Sequence, residues 1–186
     1  MSGRPVPEAW DRPGQVCPMI GPDYCGMMAR YNAWQNGQLA QLLMPLTPQE
    51  LRRDRGGFFG SILGTLDHIL WGDQMWMSRF DGGPAPEGGI KDSTDRNLTL
   101  DAWSAARFRM DGRIRLWAGK VKAIDLAGPL TWYSGAAGRQ VSRPLAQCVV
   151  HMFNHQTHHR GQVHAMMTAA GLTAPVSDLA FMPEDS

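Results

Sequence analysis

The residues best suited to chemistry in this chain are its six histidines. Five fall between positions 151 and 164: His151, His155, His158, His159 and His164. The sixth, His68, stands alone. Imidazole is mostly neutral at pH 7 and is a good ligand for borderline divalent metals. Two histidines four residues apart on a helix share a face and can grip one ion. A third ligand must then come from another element, and His68 is the only histidine left to supply it. Helical phase discriminates among the clustered five. With His155 as origin and about 100° per residue, the apolar residues Leu145, Cys148, Met152, Val163, Met166 and Ala170 centre near about +50°. His159 then falls at about +40°, His151 at about −40° and His158 at about −60°, with His164 opposite. The pair His155 and His159 lies nearest the interior, and the pair His151 and His155 is the alternative. His158 and His164 read as ordinary surface or hydrogen-bonded histidines.

Other polar residues near these positions have more modest readings. Asp67 and Asp73 flank His68. Asp73 is a candidate general base, or a partner for an arginine; His151 is a second candidate for acid–base help, or for orienting a ligand. Asn154 and Gln156 neighbour the ligand positions and read as structural. Arg160 fits either a clamp on an acidic substrate or an ion pair. No HExxH run is present, so the usual zinc-protease arrangement is excluded. There is no nucleophile elbow, phosphate loop or dinucleotide fingerprint. Cys25 has no local histidine to activate it.

These side chains need helices to hold them. Residues 1–21 are rich in Pro and Gly, without periodicity, and read as an irregular arm before a domain over 22–186. Over 23–44, Tyr24, Met27, Met28, Tyr31, Trp34, Leu39 and Leu42 recur at three and four and predict a helix that stops before Pro45. Thr47, Pro48 and Glu50 resemble a short helix start. Ser61 can cap a helix to about 80, in which Gly64 and Gly72 permit close approach of a neighbouring helix. Residues 81–97 form a loop. Thr99 or Asp101 can cap a third helix ending near Gly119. Between 121 and 139, short apolar pieces broken by glycines predict a small β-hairpin. Ser142, Arg143 and Pro144 open the last long helix, which runs to about 170 and ends at Gly171. A further turn fits residues 178–182. Four long helices with one long crossing connection predict an all-α four-helix bundle.

Composition narrows the functional classes. Of 186 residues, 43% are hydrophobic and 19% charged, and the net charge is +1. That is globular, and no basic run offers a footprint for nucleic acid. Arg107, Arg109, Arg113 and Arg115 alternate with apolar residues and read as a solvated helix face. No apolar run approaches the roughly eighteen residues of a membrane span. The start lacks an apolar signal core, so the cytoplasm is expected. Three cysteines, Cys17, Cys25 and Cys148, form no disulfide framework and fit a reducing compartment. Twelve methionines and seven tryptophans read as core filling.

Three stretches resemble the DinB/YfiT-like family of bacterial proteins: RYNAWQNGQL, RRDRGGFFGSILGTLDHILWGDQMWMSRF and VVHMFNHQTHHRGQVHAMMTAAG. The likeness runs from about Tyr24 to Met182. It implies an up-down-down-up four-helix bundle with a metal site at one end. It also implies that His68, His155 and His159 hold a divalent ion: nickel or zinc first, iron or manganese as alternatives. Homodimers are implied as well. Some members are thiol-dependent transferases or isomerases that use low-molecular-weight thiols such as bacillithiol or mycothiol. The expected function is therefore a divalent-metal-dependent enzyme acting on a small molecule, with neither nucleic acid nor membrane as partner. A metal-dependent hydrolase, a non-catalytic metal-binding stress protein and a purely structural module are the alternatives.

Overall fold

Pro22, which lacks a backbone N–H to leave unsatisfied, begins the first helix, α1 (Pro22–Leu43). The computed structural model describes residues 19–96, 99–135 and 137–184. Most of the expected N-terminal arm therefore lies outside the described residues. Thr47 and Glu50 cap the short α2 (Pro48–Arg52) reciprocally. The Ser61 hydroxyl accepts from the Gly64 N–H at 3.0 Å and opens α3 (Ile62–Asp81). Gly82, at φ 71°, ends it in the left-handed region. Thr99 caps α4 (Leu100–Ala118) through the Ala102 N–H. A short helix, α5 (Ala123–Ala127), precedes the strands β1 (Pro129–Ser134) and β2 (Arg139–Pro144). The chain closes with α6 (Leu145–Ala169), ended by Gly171 at φ 72° and a Leu172 N–H bond to the Met167 carbonyl. One 3-10 turn, Leu179–Phe181, follows.

Side-chain pairs fix the directions of the four long helices. Trp103 Nε1 donates to the Leu66 carbonyl, Arg107 meets Asp73, and Arg113 meets Asp81, so α3 and α4 run parallel. Tyr24 packs on Phe153 and Arg160 reaches Asn32, so α1 and α6 run parallel too. His68 lies against His159, and Trp76 against His151, which makes α3 and α6 antiparallel. The result is the expected up-down-down-up bundle, with an antiparallel hairpin before the last helix.

Several details depart from the expectations. The hairpin pairs Pro129 with Pro144, so it sits later than expected, and Ser142, Arg143 and Pro144 are strand residues rather than the opening of α6. A lone two-stranded ribbon has outer edges that tolerate proline, and both prolines sit at its end. The buried residues of α1 are Cys25, Ala29, Tyr31, Asn32, Gln35, Asn36, Leu39 and Leu43; of the expected face, Tyr31 and Leu39 are among them, Tyr24, Met28 and Leu42 pack against the core in part, and Met27 and Trp34 are only half-buried. Arg107 is 2% exposed rather than solvated, because Asp73 and Asp111 pair with it inside the bundle. Trp103 is the one buried tryptophan among the described residues. A side chain on Gly64 would meet the Phe59 and Thr94 carbonyls, so that glycine admits loops rather than a helix.

Candidate metal centre

His68 projects from the middle of α3, and His155 and His159 occupy successive turns of α6. Because the helices are antiparallel, the three imidazoles converge on one point of the seam. One nitrogen from each lies within 4.8 Å of the others. His68 Nε2 is 3.0 Å from His155 Nε2. Ring centroids are 4.4 Å apart for His155 and His159, and 4.8 Å for His68 and His159. His151 stands one turn away, exposed, with its ring 6.0 Å from that of His155. His158 is exposed beside His159, and Asn154 faces outward.

The hydrogen bonds around the ring fix which nitrogen carries the proton. The Ser93 hydroxyl donates to the Ile90 carbonyl at 2.7 Å. Its proton is thereby spent, and it accepts from His68 Nδ1–H at 2.9 Å. His159 Nδ1–H donates to Gln162 Oε1 at 2.8 Å, since that oxygen is an acceptor only. Both rings therefore present Nε2 lone pairs to the cluster. Outer partners of this kind hold metal-ligating histidines in one tautomer. His155 Nδ1 is buried with no partner, an orphaned polar atom beside the other two rings. The donor set fits a divalent ion: three nitrogens, two with their lone pairs aimed inward.

Electrostatics agree. Burial, with His159 adding to it, pushes the His68 imidazole down to about 4. Burial pushes His155 down to about 3, helped by its neighbouring imidazoles. Burial also lowers His159, against the raising effect of its bond to Gln162. Neutral imidazoles are the form that ligates. Packing holds them in place. A Cβ on Gly72 would stand 3.0 Å from His155 Cε1, so any side chain there presses that ring by a few tenths of an ångström. Phe59 lies on His68 with centroids 4.1 Å apart and reaches His159 at 5.2 Å.

Asp73 is engaged elsewhere. It is fully buried, and its two oxygens take Arg107 Nη1 at 2.5 Å and Gln156 Nε2 at 2.8 Å. Burial raises its pKa, opposed by Arg107 and Gln156. Asp67 is also buried, with Arg52 at 3.7 Å. Arg160 is buried against Asn32 and the Tyr31 ring, in the same polar network. Cys25 and Cys148 are buried free thiols, and Cys17 lies outside the described residues. Ser93, Gln162 and Phe59 escaped the sequence reading. Gln162 was findable, three residues after His159 on the same helix face; Ser93 and Phe59 sit in loops with no periodic signal.

A model described as the DinB family matches residues 19–185. The chain belongs to the DinB family. Protein DinB of Bacillus subtilis (strain 168) is 23% identical to this DinB-family chain over 161 residues, covering 84% of it and 91% of the relative. The crystal structure of a DinB-like protein from Bacillus cereus matches with a TM-score of 0.55 at 18% identity, covering 80% of this chain and 94% of that one. At that identity the likeness concerns the fold. Among the described residues, no helix is long and apolar enough to cross a membrane.

Proposed function

We propose that this DinB-family protein is a divalent-metal-dependent enzyme, most simply a thiol-dependent transferase or isomerase acting on a small molecule. His68, His155 and His159 would hold the ion, nickel or zinc before iron or manganese. The observation that carries the reading is the pair of fixed tautomers: Ser93 and Gln162 spend the Nδ1 protons and leave Nε2 lone pairs facing one another's neighbourhood. Three neutral nitrogens leave coordination positions open, unlike a closed four-ligand structural site. When bound, such an ion supplies Lewis acidity, which makes a thiol or a water a nucleophile at neutral pH. His151, exposed and one turn from His155, is the titratable group placed to carry a proton at the outer side of the site. Asp73 serves as a positioning residue, tying α6 through Gln156 to α3 and α4. Phe59 shields His68 and His159 from water.

That shielding also favours a second reading, a metal-binding protein without catalysis. Free thiols at Cys25 and Cys148 support a reducing, cytoplasmic setting. Exposed Phe108 and Leu116 on α4 support a homodimer. The direct test is elemental analysis of protein purified without added metal, beside His155→Ala and His159→Ala. Roughly one ion per chain in the wild type, lost in both variants, is expected; unchanged content in both would sink the site. Transfer assays of the metal-loaded protein with several low-molecular-weight thiols and electrophiles then separate the two readings.

A further inference from the structure

Along the α3–α6 seam from the three histidines stands a second cluster, of which the metal reading uses His151 alone. Trp76 on α3 and Trp132 on β1 meet edge to face with centroids 5.6 Å apart, so the hairpin is folded onto the seam. His151 packs on Trp76 at 5.1 Å. Trp76, Trp132, Arg143, Gln147, Cys148 and His151 line a cavity of about 180 Å³. Cavities of about 150 Å³ admit a benzene ring, so this one has room for a single flat ring with a small substituent.

Arg79 is the informative residue. Its guanidinium carbon lies 4.6 Å from the Trp76 ring centroid and 5.2 Å from that of Trp132. It is half-buried, and burial lowers its pKa from the usual range. Among the described residues it has no carboxylate partner and donates no hydrogen bond. The buried arginines are engaged: Arg107 by Asp73 and Asp111, and Arg160 by Asn32. A guanidinium stacked on an indole keeps the N–H groups along its edge free, in the geometry that takes a carboxylate two-pronged. Arg143 is the one charged residue of the cavity lining, Arg79 lies over the two indoles that line it, and no acidic residue in the lining offsets them. The walls are thus aromatic and the charge is positive.

We propose that this cavity binds a small organic carboxylate with a flat apolar body. The body packs against the edge-to-face indoles of Trp76 and Trp132, and the carboxylate is taken by Arg143 of the lining and by Arg79, whose guanidinium lies over those two indoles. His151 sits between this cavity and His155, so the ligand's other end lies toward the histidine cluster. Its service as the co-substrate site rests on the metal-enzyme reading; the binding does not.

Benzoate and its neutral isostere benzamide are titrated into the zinc-loaded full chain by calorimetry and tryptophan fluorescence. The same titrations are run on Arg79→Gln, Trp132→Ala and His155→Ala. Benzoate should bind at least about tenfold tighter than benzamide, and Arg79→Gln should erase that preference. Trp132→Ala, on the surface hairpin and away from the core, should weaken both ligands several-fold. His155→Ala should lose the metal yet hold benzoate within about twofold of wild type. Equal affinity for the two ligands, no saturable benzoate binding, or an unchanged preference in Arg79→Gln overturns the proposal. Discrimination between the ligands by a wild-type chain that binds no metal would defeat the metal reading alone and leave this site standing.

Discussion

Gly72 shows how a residue without a side chain sets the chemistry of the seam. It lies on α3 one turn after His68, and a Cβ there would stand 3.0 Å from the edge of the His155 ring. Alanine there has two opposed effects. It raises helix propensity by about 1 kcal/mol, and it pushes the His155 ring away from the other two. We expect Gly72→Ala to keep or gain thermal stability while metal affinity falls by about tenfold or more, as when a ligand's support is removed. Chelator competition alongside thermal unfolding of the metal-free protein measures both. A variant that loses stability and affinity together would mean that Gly72 serves packing, not the site. At this scale the sequence was informative where chemistry was periodic. His155 and His159 could be paired by phase because α6 is a regular helix with an apolar stripe. Gly72 was legible as a point of close approach, though not as the seat of an imidazole. Ser93 was invisible, because its distance from His68 is set by the path of an irregular loop rather than by a repeat.

The helices were legible from their caps and breakers, but their faces were only partly so. Hydrophobic periodicity assumes that what is buried is apolar. Here all four long helices bury polar groups against one another: Asn32 and Asn36 from α1, Asp73 from α3, Arg107 and Asp111 from α4, Gln156 and Arg160 from α6. Two aspartates and two arginines balance in charge inside the bundle, which is the condition for burying them. That network put Asn32, Gln35 and Asn36 on the inner face of α1 beside Tyr31 and Leu39 and drew Arg107 out of an otherwise solvated row. It also supplies an argument about element-level stability. Removing one partner leaves the other charge buried and unpaired, which costs about 3–5 kcal/mol, far more than the pair contributes over an apolar replacement. Arg107→Met should therefore destabilise by about that amount, and Asp73→Asn by less, because Asp111 still pairs with Arg107. The double variant should recover about 1–3 kcal/mol of the summed loss. Denaturant unfolding of the four proteins tests this cycle. Strictly additive losses would show that the two residues do not act as a unit.

At the scale of the whole molecule, the bundle has two opposite seams with different characters. The α3–α6 seam carries the histidines, the tryptophan pair and the hairpin. The α1–α4 seam is diametrically placed; Ala33, Gly37 and Ala40 on α1 and Gly112 on α4 border a cavity of about 310 Å³ there, with Phe108 and Arg115 on its α4 side. Phe108 and Leu116, eight residues apart on α4 and so near one face, are 81% and 66% exposed. Isolated exposed apolar side chains are common on any surface. Two on one helix at the edge of this cavity make a surface that a second copy of the chain can cover isologously, with the two Phe108 side chains at the contact. The long core positions elsewhere on α4, Trp103, Met110 and Ile114, are already buried within the chain, so on this helix the Phe108–Leu116 side is the apolar surface open to a partner. Light scattering during size exclusion should therefore find the wild type as a dimer at micromolar concentration and Phe108→Asp as a monomer. Placing a charge in such an interface costs more than the marginal gain of the remaining contacts. Because the histidines stand on the far seam, the monomeric variant should retain its metal content in full. A monomeric wild type, or a Phe108→Asp protein that stays dimeric, would remove the α1–α4 face as the interface. Loss of metal on dissociation would instead mean that the histidine seam depends on the partner, which the self-contained contacts of His68, His155 and His159 within one chain argue against.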